Sequence, residues 1–167
     1  MLVEPISKSH ARKRFDCGDK DVTRFLQEQA RQDQERDLSR TMVLVDEQVE
    51  PTRIVGYHAL LMAQVKQEEM PGDRPRIKRA IPVILLGQLG VDREFQGRGY
   101  GELMLMDAQA RVDEISRKTG VRAMMLDARS ERLALWYERY DFIRFPDQFR
   151  MFKSIGAIRA LKLIENR

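Results

Sequence analysis

Short apolar runs separated by polar segments predict strands in the first third of the chain. Residues 2–6 form one such run, and residues 41–45 and 54–65 form two more that are rich in β-branched residues. The segment between the last two runs, residues 46–53, is polar and contains a proline, which predicts an antiparallel pair joined by a loop. A glycine inside the later run, Gly56, is a candidate β-bulge.

Apolar positions recur every three or four residues in two longer segments, residues 19–34 and 100–118, and this spacing predicts amphipathic helices. The second helix follows a nearly continuous apolar run, residues 81–91, which is typical of a central strand covered on both faces. Another short apolar run, residues 121–128, comes after the helix. Strand, helix and strand together predict a right-handed crossover between two parallel strands.

A third amphipathic helix is predicted from Ser130 onward. Four side chains fall on one face of this helix: Leu133, Trp136, Tyr137 and Tyr140. Two short strand-like runs follow at residues 142–145 and 149–154, before a basic and apolar stretch through Leu163. The sequence contains no internal repeat and no low-complexity tail.

The length of 167 residues, of which 43% are hydrophobic, suits one domain, and we expect residues 1–167 to form it. No apolar run approaches the roughly 20 residues of a membrane span, and the start of the chain lacks the pattern of a signal peptide, so we expect a cytoplasmic protein without a membrane partner. One cysteine and two histidines argue against a disulfide framework and against a metal site. The net charge of +4 permits nucleic-acid binding without requiring it.

The segment from Gln96 to Gly101 joins the predicted central strand to the helix that follows it and contains glycines at positions 97, 99 and 101. Backbone N–H groups and the positive end of the helix dipole meet at such a junction, which favours a phosphate or another anion. The spacing matches neither the phosphate-binding loop G-x-x-x-x-G-K-S/T nor the G-x-G-x-x-G of dinucleotide sites. The glycines therefore indicate an anion site without identifying its ligand.

The order of the predicted elements and this turn together resemble the GNAT superfamily of N-acetyltransferases. The family signature Q/R-x-x-G-x-G/A is matched by Gln96, Gly99 and Gly101, and the resemblance covers nearly the whole chain. It implies an α/β (α+β) fold with a mixed central sheet of six to seven strands, splayed at the cofactor strand and flanked by about four helices. It also implies acetyl-CoA as the acetyl donor.

The resemblance assigns two parts of acetyl-CoA to two stretches of this chain. Backbone N–H groups from Gln96 to Gly101 are implied to bind the pyrophosphate, and the strand residues Leu89–Val91 to pair with the pantetheine arm. Arg93 and Arg98 flank this site, where they either add positive charge or are solvated surface side chains. The cofactor-binding residues predicted in this way are Leu89, Gly90, Val91, Arg93, Gln96, Gly97, Arg98, Gly99, Tyr100 and Gly101.

Acetyl transfer to an amine requires a neutral amine, stabilisation of charge on the thioester oxygen, and a proton for the leaving thiolate. Tyr137 is the candidate acid, since a phenol with an ordinary pKa of about 10 is protonated at neutral pH, and Trp136-Tyr137-Glu138 resembles an aromatic-Tyr-Glu sequence of the family. A packing role in the aromatic stripe is the alternative for Tyr137, and Tyr140 is a second candidate. His58 and Glu102 lie in predicted secondary structure and are interpreted as structural, so no general base is assigned.

A narrower resemblance links the chain to the TacT-type toxins of type II toxin–antitoxin systems. Phe15-Asp16-Cys17-Gly18, followed by Phe25-Leu26, is similar to the opening of that branch, and the similarity continues at Leu86–Asp92. It implies acetylation of the α-amine of aminoacyl-tRNA, inhibition of translation, a ribbon-helix-helix antitoxin and a homodimer. Two residues depart from the branch, since Gln88 stands where an arginine is common and Asp141 where a glycine is common.

A basic cluster precedes the predicted cofactor strand in a segment of low hydrophobicity and comprises Arg74, Arg76, Lys78 and Arg79. This loop is either a solvated surface or, as the resemblance favours, a contact for tRNA phosphates. Two other functions stay open: a GNAT enzyme for a small amine or a protein N-terminus, and an acyl-CoA-binding module without catalysis. The second of these tolerates loss of the phenol, whereas the chain retains both Tyr137 and the glycine turn.

Overall fold

The computed structural model of the chain describes residues 1–66, 79–146 and 148–165. Within that part of the chain, the strands are β1 (Leu2–Pro5), β2 (Arg40–Asp46), β3 (Glu50–Val65), β4 (Ile81–Val91), β5 (Ala123–Asp127), β6 (Ile143–Arg144) and β7 (Arg150–Ser154). They form one seven-stranded mixed sheet in the order β1-β2-β3-β4-β5-β7-β6. The mixed sheet is confirmed, and each strand predicted from an apolar run is present, although several strand bounds differ from the prediction.

The α-helices of the described residues are α1 (Lys20–Arg24), α2 (Ala30–Glu35), α3 (Tyr100–Ser116), α4 (Glu131–Glu138) and α5 (Ile155–Glu165). A π-helical turn at Phe25–Gln29 joins α1 to α2, so the predicted helix over residues 19–34 is present as one continuous element. Asp19 caps its N-terminus by accepting hydrogen bonds from the N–H groups of Asp21 and Val22. The basic and apolar stretch at the end of the chain, for which the pattern predicted no element, is the helix α5.

The first three strands form antiparallel pairs, β1 with β2 and β2 with β3. The register between β2 and β3 shifts where Leu44 faces Gly56 and Val45 faces Ile54, which confirms a β-bulge beside Gly56. The loop predicted over residues 46–53 is too long, because Glu50 already pairs with Asp46. Pro51 fits inside β3 because it lies within a second register shift, where the ladder does not require its missing N–H group.

The predicted crossover is formed by β4, α3 and β5. The two strands are parallel, with Val83–Leu86 in register with Ala123–Leu126, and α3 connects them. Helix α3 ends at Ser116, two residues before the predicted end. The parallel pairing is the feature that a buried, nearly continuous apolar strand predicts.

The chain divides into two compact units, Met1–Leu61 with Gly87–Ala108 and Met62–Leu86 with Gln109–Arg167. One apolar cluster of the first unit comprises Ile6, Phe15, Val22, Leu26, Ala30, Val43, Val45, Ile54 and Tyr57. One of the second comprises Val65, Ile81, Val83, Ala123, Met125, Phe145 and Phe152. The single domain expected from the length stays a prediction. Among the described residues no helix is long and apolar enough to cross a membrane.

Candidate active site

The predicted anion-binding turn lies between β4 and α3 in the first unit, and its backbone depends on glycine. Gly97 and Gly99 have φ angles of +75° and +82°, in the left-handed region that residues with side chains rarely adopt. A Cβ atom added at either position would meet no heavy atom within 4 Å, so both glycines face open space. The turn therefore leaves room for a ligand against its backbone, next to the first turn of α3.

Gln96, the first residue of the signature, holds this turn in place through its side chain. Its amide nitrogen Nε2 donates to the carbonyl oxygens of Val91 and Cys17, each at 2.9 Å. One bond closes the turn onto the end of β4, and the other ties it to the N-terminal loop. Since the side chain of Gln96 is engaged in shaping the turn, the backbone N–H groups are the part of the turn available to an anion.

Asp92, directly after β4, is buried and organises the start of the connection. Its carboxylate accepts hydrogen bonds from the N–H groups of Glu94 and Asp16, both at 3.1 Å, and from Arg53 Nη2 at 3.2 Å. Arg53 is also buried, and its Nη2 lies 3.1 Å from a carboxylate oxygen of Glu94. A buried ion pair with several further hydrogen bonds fixes the geometry around it. Sequence reasoning missed Arg53, because it lies 39 residues before Asp92 and belongs to no motif.

The two arginines that flank the turn differ in their partners. Arg93 Nε lies 3.5 Å from a carboxylate oxygen of Asp16, and a Cβ atom on Gly18 would lie 3.1 Å from the same nitrogen. The guanidinium of Arg98 instead lies 5.6 Å from the centroid of the Phe95 ring, in a cation–π contact. Arg93 is thus engaged with the N-terminal loop, whereas Arg98 is held on the turn itself.

The end of β4 is the predicted position of the pantetheine arm. The parallel register with β5 ends at Leu86, so Leu89–Val91 lie beyond it. Gly90 is buried, and a Cβ atom there would come within 2.9 Å of Val22 Cγ1. Only glycine lets β4 pass this close to α1. On the side where the β5 register has ended, strand groups can bond an extended, amide-bearing ligand, as the prediction requires.

The remaining residues predicted to bind the cofactor lie in the same unit. Leu89 and Tyr100 are half-buried and pack against the apolar cluster of Leu44, Val55 and Met104. Gly101 lies in the first turn of α3. The first unit therefore brings together all ten residues from Leu89 to Gly101 that the sequence assigned to acetyl-CoA.

Tyr137, the candidate acid, lies in α4 of the second unit, a helix whose N-terminus is capped by Ser130. Its side chain is buried, with 7% of its surface exposed, and burial raises the pKa of the phenol above its ordinary value. The ring contacts Trp136 and Phe142 edge-on, at centroid distances of 4.9 and 5.7 Å. No hydrogen bond between described residues involves the Tyr137 hydroxyl. A protonated phenol in this state is available as a donor to a substrate.

Tyr140, the second candidate, lies beyond the end of α4 and is half-buried. Its ring packs edge-on against Trp136 at a centroid distance of 4.9 Å, and its carbonyl oxygen accepts a hydrogen bond from Lys153 Nζ at 2.8 Å. These contacts favour a packing role for Tyr140 and leave Tyr137 as the better acid.

The two residues considered as bases are in different settings. His58 is fully buried on β3, and its Nε2 lies 2.6 Å from Asp107 Oδ2. Glu102 is exposed in the first turn of α3, where a carboxylate favours the positive end of the helix dipole. Both settings support the structural interpretation of these residues.

A tRNA-acetylating toxin of Mycobacterium tuberculosis is 35% identical to this chain over 111 residues, which cover 65% of this chain and 67% of that protein. The chain belongs to the GNAT family of tRNA-acetylating toxins. A probable TacT toxin of Sinorhizobium fredii is 28% identical over 173 residues, which cover 96% of this chain and 94% of that protein. No protein-family model matches the chain.

Solved structures of GNAT toxins share the fold. AtaT complexed with acetyl-methionyl-tRNAfMet superposes with a TM-score of 0.87 at 22% identity, over 96% of this chain and 98% of that one. A mutant AtaT bound to the C-terminus of the antitoxin AtaR and acetyl-CoA gives a TM-score of 0.80 at 21% identity, over 96% of both chains. The GNAT fold predicted from the order of elements and the glycine turn is therefore confirmed.

The departures from the toxin family have structural counterparts. Asp141 has a φ angle of +63°, so the turn after α4 keeps the left-handed backbone that glycine adopts easily, although an aspartate occupies the position. Gln88 is half-buried on β4. Of the basic cluster, Arg79 is exposed, whereas Arg74, Arg76 and Lys78 lie outside the residues that the structure describes.

Among the described residues, no group of three or more His, Cys, Asp and Glu side chains is arranged to hold a metal ion.

Proposed function

We propose that this chain transfers the acetyl group of acetyl-CoA to the α-amine of aminoacyl-tRNA and thereby stops translation, as the toxin of a type II toxin–antitoxin pair. The observation that carries the proposal is the 35% identity to a tRNA-acetylating toxin. The chemistry that such a reaction needs agrees with the open glycine turn and with the buried phenol of Tyr137.

The donor is bound by backbone groups of the first unit. The N–H groups of Gln96–Gly101, at the positive end of α3, bind the pyrophosphate, and Arg98 adds a positive charge from its position on Phe95. Leu89–Val91 bond the amides of the pantetheine arm. The open space at Gly97 and Gly99 fits this role, because a phosphate needs direct access to the N–H groups.

Acetyl-CoA supplies an activated thioester. Residues of the chain act on two of its atoms, the thioester oxygen and the leaving sulfur. A backbone N–H near Leu89–Val91 donates to the thioester oxygen as negative charge develops there. Tyr137 donates its phenolic proton to the leaving sulfur and recovers a proton from solvent. The α-amine of an aminoacyl ester has an ordinary pKa of about 8 or below, so a neutral fraction exists at neutral pH. The neutral amine forms the new C–N bond as the C–S bond breaks, and its nitrogen then passes one proton to water. A dedicated base is therefore not required.

The acceptor is bound in part by the basic cluster that precedes β4. Arg74, Arg76, Lys78 and Arg79 contact phosphates of the tRNA, and with about four such contacts the logarithm of the affinity falls with the logarithm of the salt concentration at a slope of about −3. AtaT has been solved with acetyl-methionyl-tRNAfMet, which supports a charged tRNA as the acceptor here. The half-buried Gln88 contributes no positive charge to this surface.

The toxin role implies protein partners and a cellular compartment. AtaT has been solved with the C-terminus of its antitoxin AtaR, which supports an antitoxin for this chain. This antitoxin is a ribbon-helix-helix protein, the toxin is a homodimer, and both act in the cytoplasm, where charged tRNA is available.

Incubation of bulk charged tRNA with labelled acetyl-CoA tests the proposal. We expect label on the amino acid of one or a few charged tRNAs, identified by nuclease digestion and mass spectrometry, and none on uncharged tRNA. Replacement of Arg76 and Lys78 by Glu should weaken tRNA acetylation and leave acetyl-CoA binding unchanged. Acetylation of small amines with no label on charged tRNA would reject the tRNA acceptor, and acetyl-CoA binding without any turnover would indicate a binding module.

A further inference from the structure

Lys153, on β7 of the second unit, is a fully buried ammonium group. Its side chain has 0% of its surface exposed, and the residues on both sides of it in sequence, Phe152 and Ser154, are buried or half-buried. Moving a charged amine out of water is unfavourable unless the amine gains partners, so a buried lysine indicates a specific requirement for one. Burial lowers the pKa of Lys153, and the nearby carboxylate of Asp141 opposes this shift.

The partners of Lys153 are three consecutive residues of the turn after α4. Its Nζ donates to the carbonyl oxygen of Tyr140 at 2.8 Å and lies 3.8 Å from Asp141 Oδ2. It also lies 6.0 Å from the centroid of the Phe142 ring. A single side chain from β7 therefore contacts all three residues of the Tyr140–Phe142 turn.

This turn has a conformation that glycine favours and aspartate only tolerates. Asp141 has a φ angle of +63°, which a glycine adopts without strain and an aspartate adopts at a small cost, so contacts that stabilise the turn matter more with aspartate than with glycine at this position. The carbonyl of Tyr140 lies just beyond the C-terminus of α4, where a positive charge is favourable. Lys153 thus provides the support that a glycine at position 141 would make unnecessary.

The same turn is in direct contact with Tyr137. The N–H groups of Tyr140 and Phe142 donate to the carbonyl oxygen of Tyr137 at 2.9 and 3.4 Å. The ring of Phe142 packs edge-on against the Tyr137 ring at 5.7 Å. A change in the turn therefore changes both the backbone and the ring position of Tyr137.

We propose that Lys153 is a positioning residue, which holds the left-handed turn at Asp141 and so fixes the phenol of Tyr137 for proton donation. The inference rests on the proposed function, because it takes Tyr137 as the acid of acetyl transfer. In this chain Asp141 and Lys153 together take the place of the glycine that is common at position 141 in the toxin branch.

The test compares Lys153→Met with Lys153→Met/Asp141→Gly, since methionine keeps the length of the side chain and removes its charge. In Lys153→Met we expect kcat for acetylation of charged tRNA to fall about tenfold, with KM for acetyl-CoA changed by less than about twofold, because only proton donation is affected. Glycine at position 141 should restore most of kcat. In a Tyr137→Phe background Lys153→Met should cause no further loss.

Trp136 gives a readout that does not depend on an acceptor. It is the single tryptophan of the chain, and its ring lies 4.9 Å from those of Tyr137 and Tyr140. We expect its fluorescence to change in Lys153→Met and to return towards that of the unmodified protein when Asp141→Gly is added. Circular dichroism establishes that each variant is folded, and Lys153→Leu, which also removes the charge and the hydrogen-bond donor, replaces the methionine variant if that variant is unfolded.

The outcomes separate this inference from the proposed function. If the unmodified protein fails to acetylate charged tRNA, the proposed function fails, and the Trp136 fluorescence still decides whether Lys153 holds the turn. The inference is overturned if Lys153→Met leaves kcat and fluorescence unchanged. It is also overturned if the loss is equally large in the Tyr137→Phe background, or if Asp141→Gly restores nothing in a folded double variant.

Discussion

The glycine turn at Gln96–Gly101 and the end of α4 around Tyr137 differ in the kind of group that the proposed function uses. In the turn the proposed binding groups are backbone N–H groups, which are arranged by Gly97, Gly99 and two hydrogen bonds from Gln96. At the end of α4 the proposed functional group is one side chain, the Tyr137 phenol, which is buried among rings, and Lys153 on β7 donates to the carbonyl oxygen of the neighbouring Tyr140. A backbone site tolerates few changes in its glycines, whereas a buried side-chain site depends on distant packing.

Tyr137→Phe is the strongest test of this contrast. We expect kcat to fall by about 10²- to 10⁴-fold, the range of general-acid contributions, while the dissociation constant of acetyl-CoA stays the same. Steady-state kinetics and calorimetry measure the two quantities. Tyr140→Phe is the matched control and should retain kcat within about twofold. Unchanged turnover in Tyr137→Phe would remove the acid role and leave this tyrosine as a packing residue.

Gly99→Ala should damage the turn through its backbone alone. The left-handed φ angle of +82° costs a residue with a Cβ atom about 1–2 kcal/mol, although the added carbon would meet nothing within 4 Å. We expect the affinity for acetyl-CoA to fall about tenfold with little change in kcat. Gly120→Ala is the control, because its added carbon also meets nothing within 4 Å and its φ angle is not left-handed. Equal effects at both glycines would contradict the role of the turn.

Gln96→Glu keeps the shape of the side chain and removes its donor. The carboxylate would face the carbonyl oxygens of Val91 and Cys17, which now accept at 2.9 Å. Loss of two hydrogen bonds predicts a decrease of about 1–2 kcal/mol in the free energy of unfolding and about a threefold weaker binding of acetyl-CoA. Urea denaturation and calorimetry test this, with the exposed Gln64→Glu as control. An unchanged urea midpoint would show that the side chain does not hold the turn.

Arg98→Gln and Arg93→Gln separate the two flanking arginines. Arg98 lies on the turn over Phe95, so its loss should weaken acetyl-CoA binding by about 0.5–1 kcal/mol at low salt. Arg93 is engaged with Asp16, so its loss should change this binding by less than about twofold. Calorimetry at two salt concentrations measures both. Equal losses would mean that Arg93 also reaches the ligand.

The pH profile should show the smallest effect. Because burial raises the pKa of Tyr137 above its ordinary value, the acid stays protonated to higher pH than an exposed phenol does. We therefore expect kcat/KM to rise through the pKa of the amine, about 8, and then to stay level up to about pH 9.5. Short incubations corrected for spontaneous ester hydrolysis measure the profile. A falling limb below about pH 9.5 would contradict proton donation by a buried phenol.

Most of the fold was predictable from local patterns. Continuous apolar sequence predicted β4 with its observed bounds, Ile81–Val91, and a periodic stripe predicted α3 and α4. The loop over residues 46–53 was predicted too long, because pairing of Glu50 with Asp46 extends β3 through a proline that local patterns assign to a loop. Strand pairing is a long-range interaction, and the polar residues of an irregular strand do not reveal it.

The candidate site was predictable where it consists of backbone. The glycines at 97 and 99 indicate in sequence the left-handed angles that the structure has at both positions. Nothing in the sequence indicated that Arg53 would join Asp92, or that Lys153 would reach the turn after α4. Each of these pairs is separated along the chain and forms only when the strands and helices pack.

Local sequence patterns were enough to predict the order of the strands and of the helices up to α4, the glycine turn, the aromatic helix that carries Tyr137 and the resemblance to acetyltransferases. These depend on the spacing and type of neighbouring residues, which act through local backbone preferences. Only packing placed Tyr137 in a buried position without a hydrogen bond to a described residue, Arg93 beside Asp16, and the ammonium group of Lys153 against the turn at Asp141. Burial and long-range partners arise from packing, and packing sets the pKa and position of a catalytic side chain.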